Sequence, residues 1–321
     1  MIKYVVKRFV QMIVVLFIVS LLVFLLTNFI GDPVDMLVPE NATLEQIESA
    51  RARLGLDKPL PVQYGIFIND VLHGNFGKSY TYGKPAMDLI FERMPATLEL
   101  VAVAACLVLC IAIPLGVYAG AYPKRASSKL IMSGSILGIS LPSFWVGMMM
   151  IYIFAVVLRL LPASGRGNTV MVGNVALSIF APGGIRYVIL PAITLALTNM
   201  ATMLRLTRSG ILENMRQDYI KFARAKGVPA KSILFGHALK NALIPVVTIF
   251  GMDLGNMIAF TTITETIFAW PGMGKLLIDA INKSDRPIIV AYLMAAACMF
   301  VVLNFIVDIL YTLIDPRIEL R

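Results

Sequence analysis

Six apolar blocks dominate the chain, at about residues 9–30, 98–121, 131–158, 187–208, 241–264 and 288–313. A helix of about 20 apolar residues crosses the hydrocarbon core of a bilayer, and each block reaches that length. Inside lipid no water satisfies backbone N–H and C=O groups, so each block must close its hydrogen bonds within itself as a helix. The expected fold is therefore an all-α polytopic membrane protein. Composition agrees: 58% of the 321 residues are hydrophobic, against about 45–50% in ordinary soluble domains.

The polar connections set an orientation. Lys3, Lys7 and Arg8 precede the first block as they would in a signal peptide, but the apolar stretch is too long for one and no small-residue cleavage site follows it. An uncleaved anchor with a cytoplasmic N-terminus (residues 1–30) is expected. Residues 31–96 carry Asp32, Asp35, Glu40, Glu45, Glu48 and Asp57 together with turn residues, and read as a mostly helical extracytoplasmic subdomain. Lys124, Arg125 and Lys129 mark an inner loop, and the Gly- and Pro-rich "LPASGRGNTVMVGNVALSIFAPGGIR" an outer one. Residues 209–240 form the most basic loop and lie inside. Five helices over 97–313 make the core, and the tail 314–321 returns to the cytoplasm. The net charge of +9 is read as this orientation signal rather than as a nucleic-acid surface.

"DYIKFARAKGVPAKSILFGHALKNALIP", Asp218 to Pro245, is the polar stretch with the most form. It holds Lys221, Arg224, Lys226, Lys231 and Lys240 against one acid. Gly227 is placed to end a helix in a left-handed conformation, and Pro229 to start the next. Two short helices with a break at Gly227-Val228 are expected. Tyr219, Phe222 and Ala223 make one apolar face; Leu234, Ala238 and Asn241 share another, with Ile233 beside it. A loop that only rests on lipid headgroups needs no such break, nor small residues at Ala223, Ala225 and Gly227. Those let another protein backbone come close.

Other chemistry is sparse. "HGNFGKS" nearly imitates a phosphate-binding loop, but Leu72 stands where its first Gly should be; in "WPGMGKLL" Ala269 does. His73 and His237 fall on opposite sides of the membrane, and no H-E-x-x-H or G-x-S-x-G is present. An intramembrane enzyme therefore lacks a nucleophile and base. Cys106, Cys110 and Cys298 lie in apolar blocks without metal-ligand spacing and read as small packing residues. Asn199, Asp253, Asn256, Glu265, Asn304 and Asp308 are polar within blocks, which costs a few kcal/mol each unless they face protein or a water-filled path. Asp253 lies deepest, with Asn256 three residues on. These two, with Asn199, are candidates for a translocation path, or else they bond to neighbouring helices. An ion-gradient transporter would show paired acids and an inverted repeat, neither of which is evident. Pro114, Pro142, Pro191 and Pro245 are expected to kink spans.

The stretch "ARAKG…HALKNALIP" resembles the cytoplasmic EAA loop of ABC importer permeases, in the form found in the dipeptide/oligopeptide/nickel permease family. Lys221-Phe222-Ala223 stand where the general motif has Glu-Ala-Ala, and Pro245 falls later than in that motif; both departures fit the peptide-type variant. "GDP" (31–33), "LGLDKPLPVQY", "GNFGKSY", "GISLPSFWVG", "LPASGR", "ILPAITLAL", "ETIFAWPGMGKLL" and "DPRI" (315–318) follow in the family's order. The resemblance implies a six-helix type I ABC importer permease fold in a bacterial inner membrane. It implies a second homologous permease, two cytosolic ATPases docked on the coupling loop, and an extracytoplasmic solute-binding protein. The solute class would be di- or oligopeptides, or small solutes such as glutathione or nickel chelates. ATP and Mg would be held by the ATPases, leaving this chain without catalytic residues, metal or cofactor. Ala223, Arg224, Ala225, Lys226, Gly227 and His237 would be the coupling residues.

Overall fold

A computed structural model describes residues 2–29, 43–53 and 55–314. In chain order the helices are α1 (Ile2–Phe29), α2 (Leu44–Arg53), α3 (Leu60–Leu72), α4 (Ala86–Leu107), α5 (Ile113–Ala121), α6 (Ala126–Ser140) and α7 (Ser143–Met150). They continue with α8 (Ile185–Asn214), α9 (Asp218–Ala225), α10 (Ala230–Ser232), α11 (Leu239–Ile267), α12 (Met273–Asn282) and α13 (Arg286–Ile314). Strands β1 (Val170–Val172) and β2 (Val175–Leu177) form one antiparallel hairpin, with Met171 opposite Ala176. π-helical turns at Val108–Ala112, Ile151–Val157 and Ile233–Ala238 join α4 to α5, extend α7, and join α10 to α11.

Among the described residues, five helical stretches are long and apolar enough to cross a membrane: Val6–Leu26, Ala86–Ala121, Ile185–Asn214, Ala230–Ile267 and Arg286–Ile309. The expected span 131–158 is not one helix. α6 and α7 pass the same test together but meet at 107°. Pro142 is the cause: it disfavours helical backbone at the residue before it, and Leu141 is extended, at φ −90° and ψ 132°. Elsewhere the helices outrun the apolar blocks. α4 starts at Ala86, α8 runs on to Asn214, and helix resumes at Ala230, so little of the expected 209–240 loop is left outside helices. The "GDP" and "DPRI" motifs, with Asp32, Asp35 and Glu40, lie outside the described residues.

The chain divides into two compact units, one of residues 1–94 and 272–302, the other of 95–271 and 303–321. In the first, Leu89 and Ile90 of α4, Met273 and Leu276 of α12, and Ile288 and Tyr292 of α13 form a buried cluster. α1 joins through Val23, packed with Val290 and Met294, and through Ser20, whose hydroxyl lies 2.8 Å from that of Tyr64. The loop before α4 is tied to the start of α13 by Asp285, which is fully buried. Ser79 Oγ donates to its Oδ2 at 2.5 Å, and the Tyr80 and Thr81 amides donate at 3.2 and 3.0 Å. In "GNFGKS" the serine hydroxyl and the two amides after it therefore serve a carboxylate of the same chain. Burial pushes the Tyr80 hydroxyl above its usual pKa, against the lowering influence of Arg286.

In the second unit, α5 lies directly on α8. A Cβ added at Gly116 would fall 2.7 Å from Thr207 Cβ, and one at Gly120 2.7 Å from Ile211 Cβ. Two glycines four residues apart let helix backbones approach where lipid supplies no hydrophobic drive to pack. The next contact in line is Gly210 of α8 against Ala242 of α11, where an added Cβ would sit 3.0 Å from the alanine methyl. The π turn at Val108–Ala112 comes just where the ring of Pro114 would meet the carbonyl of Cys110 in a regular α-helix. All three cysteines occupy exposed faces rather than packed positions.

Candidate functional site

The basic element follows the C-terminus of α8. α9 carries Asp218 in its first turn and Arg224 in its last, which suits the helix dipole at both ends. Lys221 Nζ donates to Asp218 Oδ1 at 2.8 Å and holds that exposed carboxyl below its usual pKa. Gly227 ends the helix at φ +78°. Its amide bonds to the Arg224 carbonyl at 3.0 Å, and the Val228 amide to the Ala223 carbonyl at 3.1 Å, the paired bonds of a Schellman end. The left-handed glycine expected from the sequence is therefore present. Pro229 sits one position earlier than expected, as the cap before Ala230. The second short helix is not separate: from Ala230 the backbone runs as one rod to Ile267, with Pro245 inside it.

The inward face of α9 also differs from the sequence reading. Ile220 is fully buried, and Ala223 and Val228 pack with it against Ile211 of α8, Val117 of α5, and Ile233 and Ala242 of the rod. Ala223 is thus spoken for within the chain. Tyr219 and Phe222, expected on the apolar face, are 40% and 62% exposed. Arg224, Ala225, Lys226, Gly227 and His237 are exposed as well. Lys226 Nζ lies 4.6 Å from the centre of the Phe222 ring, within cation–π range. A Cβ built on Gly227 meets nothing within 4 Å, so the space beyond it is open.

One hydroxyl connects α9 to both of its neighbours. Tyr219 Oη donates to Asn214 Oδ1 at 2.7 Å and accepts from Asn241 Nδ2 at 3.0 Å. Asn214 Nδ2 is held in turn by the Gly210 carbonyl at 2.8 Å. α8, α9 and α11 meet on this one side chain.

Beside the opposite end of α11 lies a second polar constellation, which sequence reasoning missed. Glu99, near the start of an apolar block, is 5% exposed. Arg166 donates to its Oε2 from Nε at 2.9 Å and from Nη2 at 2.6 Å. Its Oε1 accepts from the Ser178 amide at 2.6 Å, the Ser178 hydroxyl at 3.0 Å and the Ile179 amide at 2.7 Å. Close by, Thr97 Oγ1 donates to the fully buried Glu265 at 2.6 Å, and Trp270 Nε1 to the Ala96 carbonyl at 2.9 Å. Glu265 therefore bonds to a neighbouring helix. A charge inside an apolar block was the available signal.

Of the remaining candidates, Asn199 is half-buried on α8, and Asp253 is half-buried on α11 with the exposed Asn256 one turn on.

Comparison with known proteins places this architecture. Residues 112–320 match the model of the binding-protein-dependent transport system inner membrane component, and residues 1–101 match the N-terminal model of the same systems. The chain is 37% identical over 314 residues to the probable D,D-dipeptide transport system permease protein DdpB of Escherichia coli K12, covering 94% of this chain and 92% of that one. It is 36% identical to the dipeptide permease DppB of Alkalihalophilus pseudofirmus, over 99% of this chain and 100% of the relative. It is 37% identical to the oligopeptide permease AppB of Bacillus subtilis, with the same coverage. Among solved structures, a chain of the inward-facing MetNI methionine ABC transporter matches with a TM-score of 0.54 at 15% identity, over 71% of this chain and 97% of that one, a likeness of fold. From its first helix to its last, the chain belongs to the family of binding-protein-dependent transport system inner membrane components.

Proposed function

We propose that the chain is the permease subunit of an ATP-driven importer for di- or oligopeptides in a bacterial inner membrane. It would pair with a second, homologous permease, take solute from an extracytoplasmic binding protein, and be driven by two cytosolic ATPases that alone hold ATP and Mg. The observation that carries the reading is the form of the basic element. An exposed Phe222–Lys226 knob, ended by Gly227, is joined through Tyr219 to α8 and to a rod that runs on to Ile267. A load on that knob has a hydrogen-bonded route to two spanning helices. The dipeptide and oligopeptide permeases that the chain matches over nearly their whole length support the peptide class.

In this reading the element and both termini face the cytoplasm, and the 170–177 hairpin and helix α3 face outward. Phe222, Arg224, Ala225, Lys226, Gly227 and His237 form the docking surface, and Ala223 backs it from within. Closure of the ATPase pair displaces α9, and the spans follow, turning the cavity from inward to outward. Asp253, Asn256 and Asn199 are the proposed polar lining of the path. The solute is chosen mainly by the binding protein.

The test is reconstitution with candidate ATPases, the second permease and the binding protein in proteoliposomes. ATP-dependent uptake of a dipeptide, lost in the Phe222→Asp and Gly227→Val variants that still assemble, is the expected result. Uptake by this chain without an ATPase, or full coupling in both variants, would overturn the reading.

A further inference from the structure

The Glu99 constellation joins three parts of the chain that are far apart in sequence. The start of the membrane portion of α4 supplies Ala96, Thr97 and Glu99; the loop on either side of the hairpin supplies Gly165, Arg166, Ser178 and Ile179; the end of α11 supplies Glu265, Phe268 and Trp270. Five donor contacts fill the two oxygens of Glu99. Arg166 Nη2 also reaches the Ala176 carbonyl at 2.6 Å, which fixes the hairpin to the same pair. The side chains of Arg166 and Glu99 are 11% and 2% exposed. The Gly165 amide donates to the Phe268 carbonyl at 2.8 Å, and the guanidinium lies 5.6 Å from the centre of the Trp270 ring. Between Phe268 and Trp270, Ala269 is held at φ +46°, a conformation that persists in a residue with a side chain only where the surroundings impose it.

We propose that Glu99 is a positioning residue that keeps these three segments together as one body through the whole transport cycle, so that the path does not open between them. The proposal rests on the reading as an importer permease. Its physical basis is the asymmetry of buried ion pairs. Once made and fully hydrogen-bonded such a pair is tolerable, but parting it strands a charge away from water. A gate that must open on every cycle is poorly built from a carboxylate with five internal donors. A joint that must never open is well built from one.

The test uses the whole complex in lipid nanodiscs, with Cys106, Cys110 and Cys298 replaced by Ser. Spin labels go at Leu98 of α4 and Met171 of the hairpin, which are 42% and 62% exposed. The expected result is one narrow distance distribution that superimposes between the nucleotide-free complex and the complex trapped with a non-hydrolysable ATP analogue. In Glu99→Gln the distribution should broaden in both states. Maximal uptake should fall several-fold, while the half-saturating solute concentration stays unchanged. Ser178→Ala, which keeps both charges, should give a smaller broadening and serves if Glu99→Gln fails to fold. A wild-type distribution that shifts between the two states, or a narrow distribution with full uptake in Glu99→Gln, would overturn the proposal. Absence of ATP-dependent uptake by the unlabelled complex counts against the importer reading instead, and the labelled distances still decide the joint.

Discussion

Beside one end of α11 the polar contacts are ionic and buried; at its other end they are neutral and exposed. Glu99 and Arg166 are nearly sealed from solvent, whereas Tyr219, Asn214 and Asn241 share two hydrogen bonds on an exposed side chain. Removing one partner of a buried pair costs about 3–5 kcal/mol, and a single neutral hydrogen bond contributes only about 0.5–1.5 kcal/mol net. α11 is thus tied beside a buried ionic cluster at one end, through Glu265, and by exposed neutral bonds through Asn241 at the other. That difference suits a machine whose loosely fastened end must accept a partner and move, and whose firm end must keep its shape.

The comparison breaks most sharply at Arg166. Arg166→Met leaves Glu99 buried without its cation, and a loss of about 3–5 kcal/mol is expected, read as a lowered unfolding midpoint of the purified protein. An unchanged midpoint would mean that Glu99 is served well enough by its Ser178 and Ile179 donors. Gly227→Val comes next. No atom lies within 4 Å of the added Cβ, so the folding cost expected is mainly backbone strain, about 1–2 kcal/mol, with loss of docking beside it. Gly227→Ala should carry less backbone strain than the β-branched Val, and more of the docking should survive.

Tyr219→Phe should be gentler, at about 1 kcal/mol, and the chain should still assemble. Uptake per ATP hydrolysed should fall all the same, because the ring stays and the link to Asn214 and Asn241 goes; an unchanged ratio would remove Tyr219 from the route between knob and spans. The smallest effect is expected from acid. The Asp218 carboxyl is depressed by Lys221, so its contribution is complete at neutral pH and is lost as pH falls through the depressed value. Asp218 is fully exposed, so titrating the purified protein from neutral down to the carboxylate range should produce no resolved step that Asp218→Asn abolishes.

Much of this molecule was legible in its sequence, and the exceptions have physical reasons. Block length alone located the spans, and Gly227 announced the end of α9. The inward face of α9 was misjudged because Tyr219/Phe222 and Ile220/Ala223 are adjacent stripes with the same three-residue spacing, and periodicity does not say which turns inward. A kink at Pro142 was expected, but not a full break at 107°, because hydropathy reads straight through a proline that both arms flank with apolar residues. The Glu99 joint could not be assembled from the sequence, since its partners lie 67, 79 and 80 residues away. A lone acid near the start of an apolar block looks like its boundary.

The unbroken rod from Ala230 to Ile267 has a mechanical consequence. At a rise of 1.5 Å per residue, Ala230 stands about 18 Å from Ala242 and Glu265 about 34 Å from it on the other side. Ala242 is also where the rod leans on Gly210 of α8, at a contact with no space for further approach. The arms of the rod on the two sides of that contact are unequal. A pivot there would carry Glu265, together with the whole Glu99 joint, about twice as far as Ala230 and in the opposite direction. The gearing is set by a glycine and an alanine, and moving that contact by one helical turn along the rod would change the stroke without altering either end.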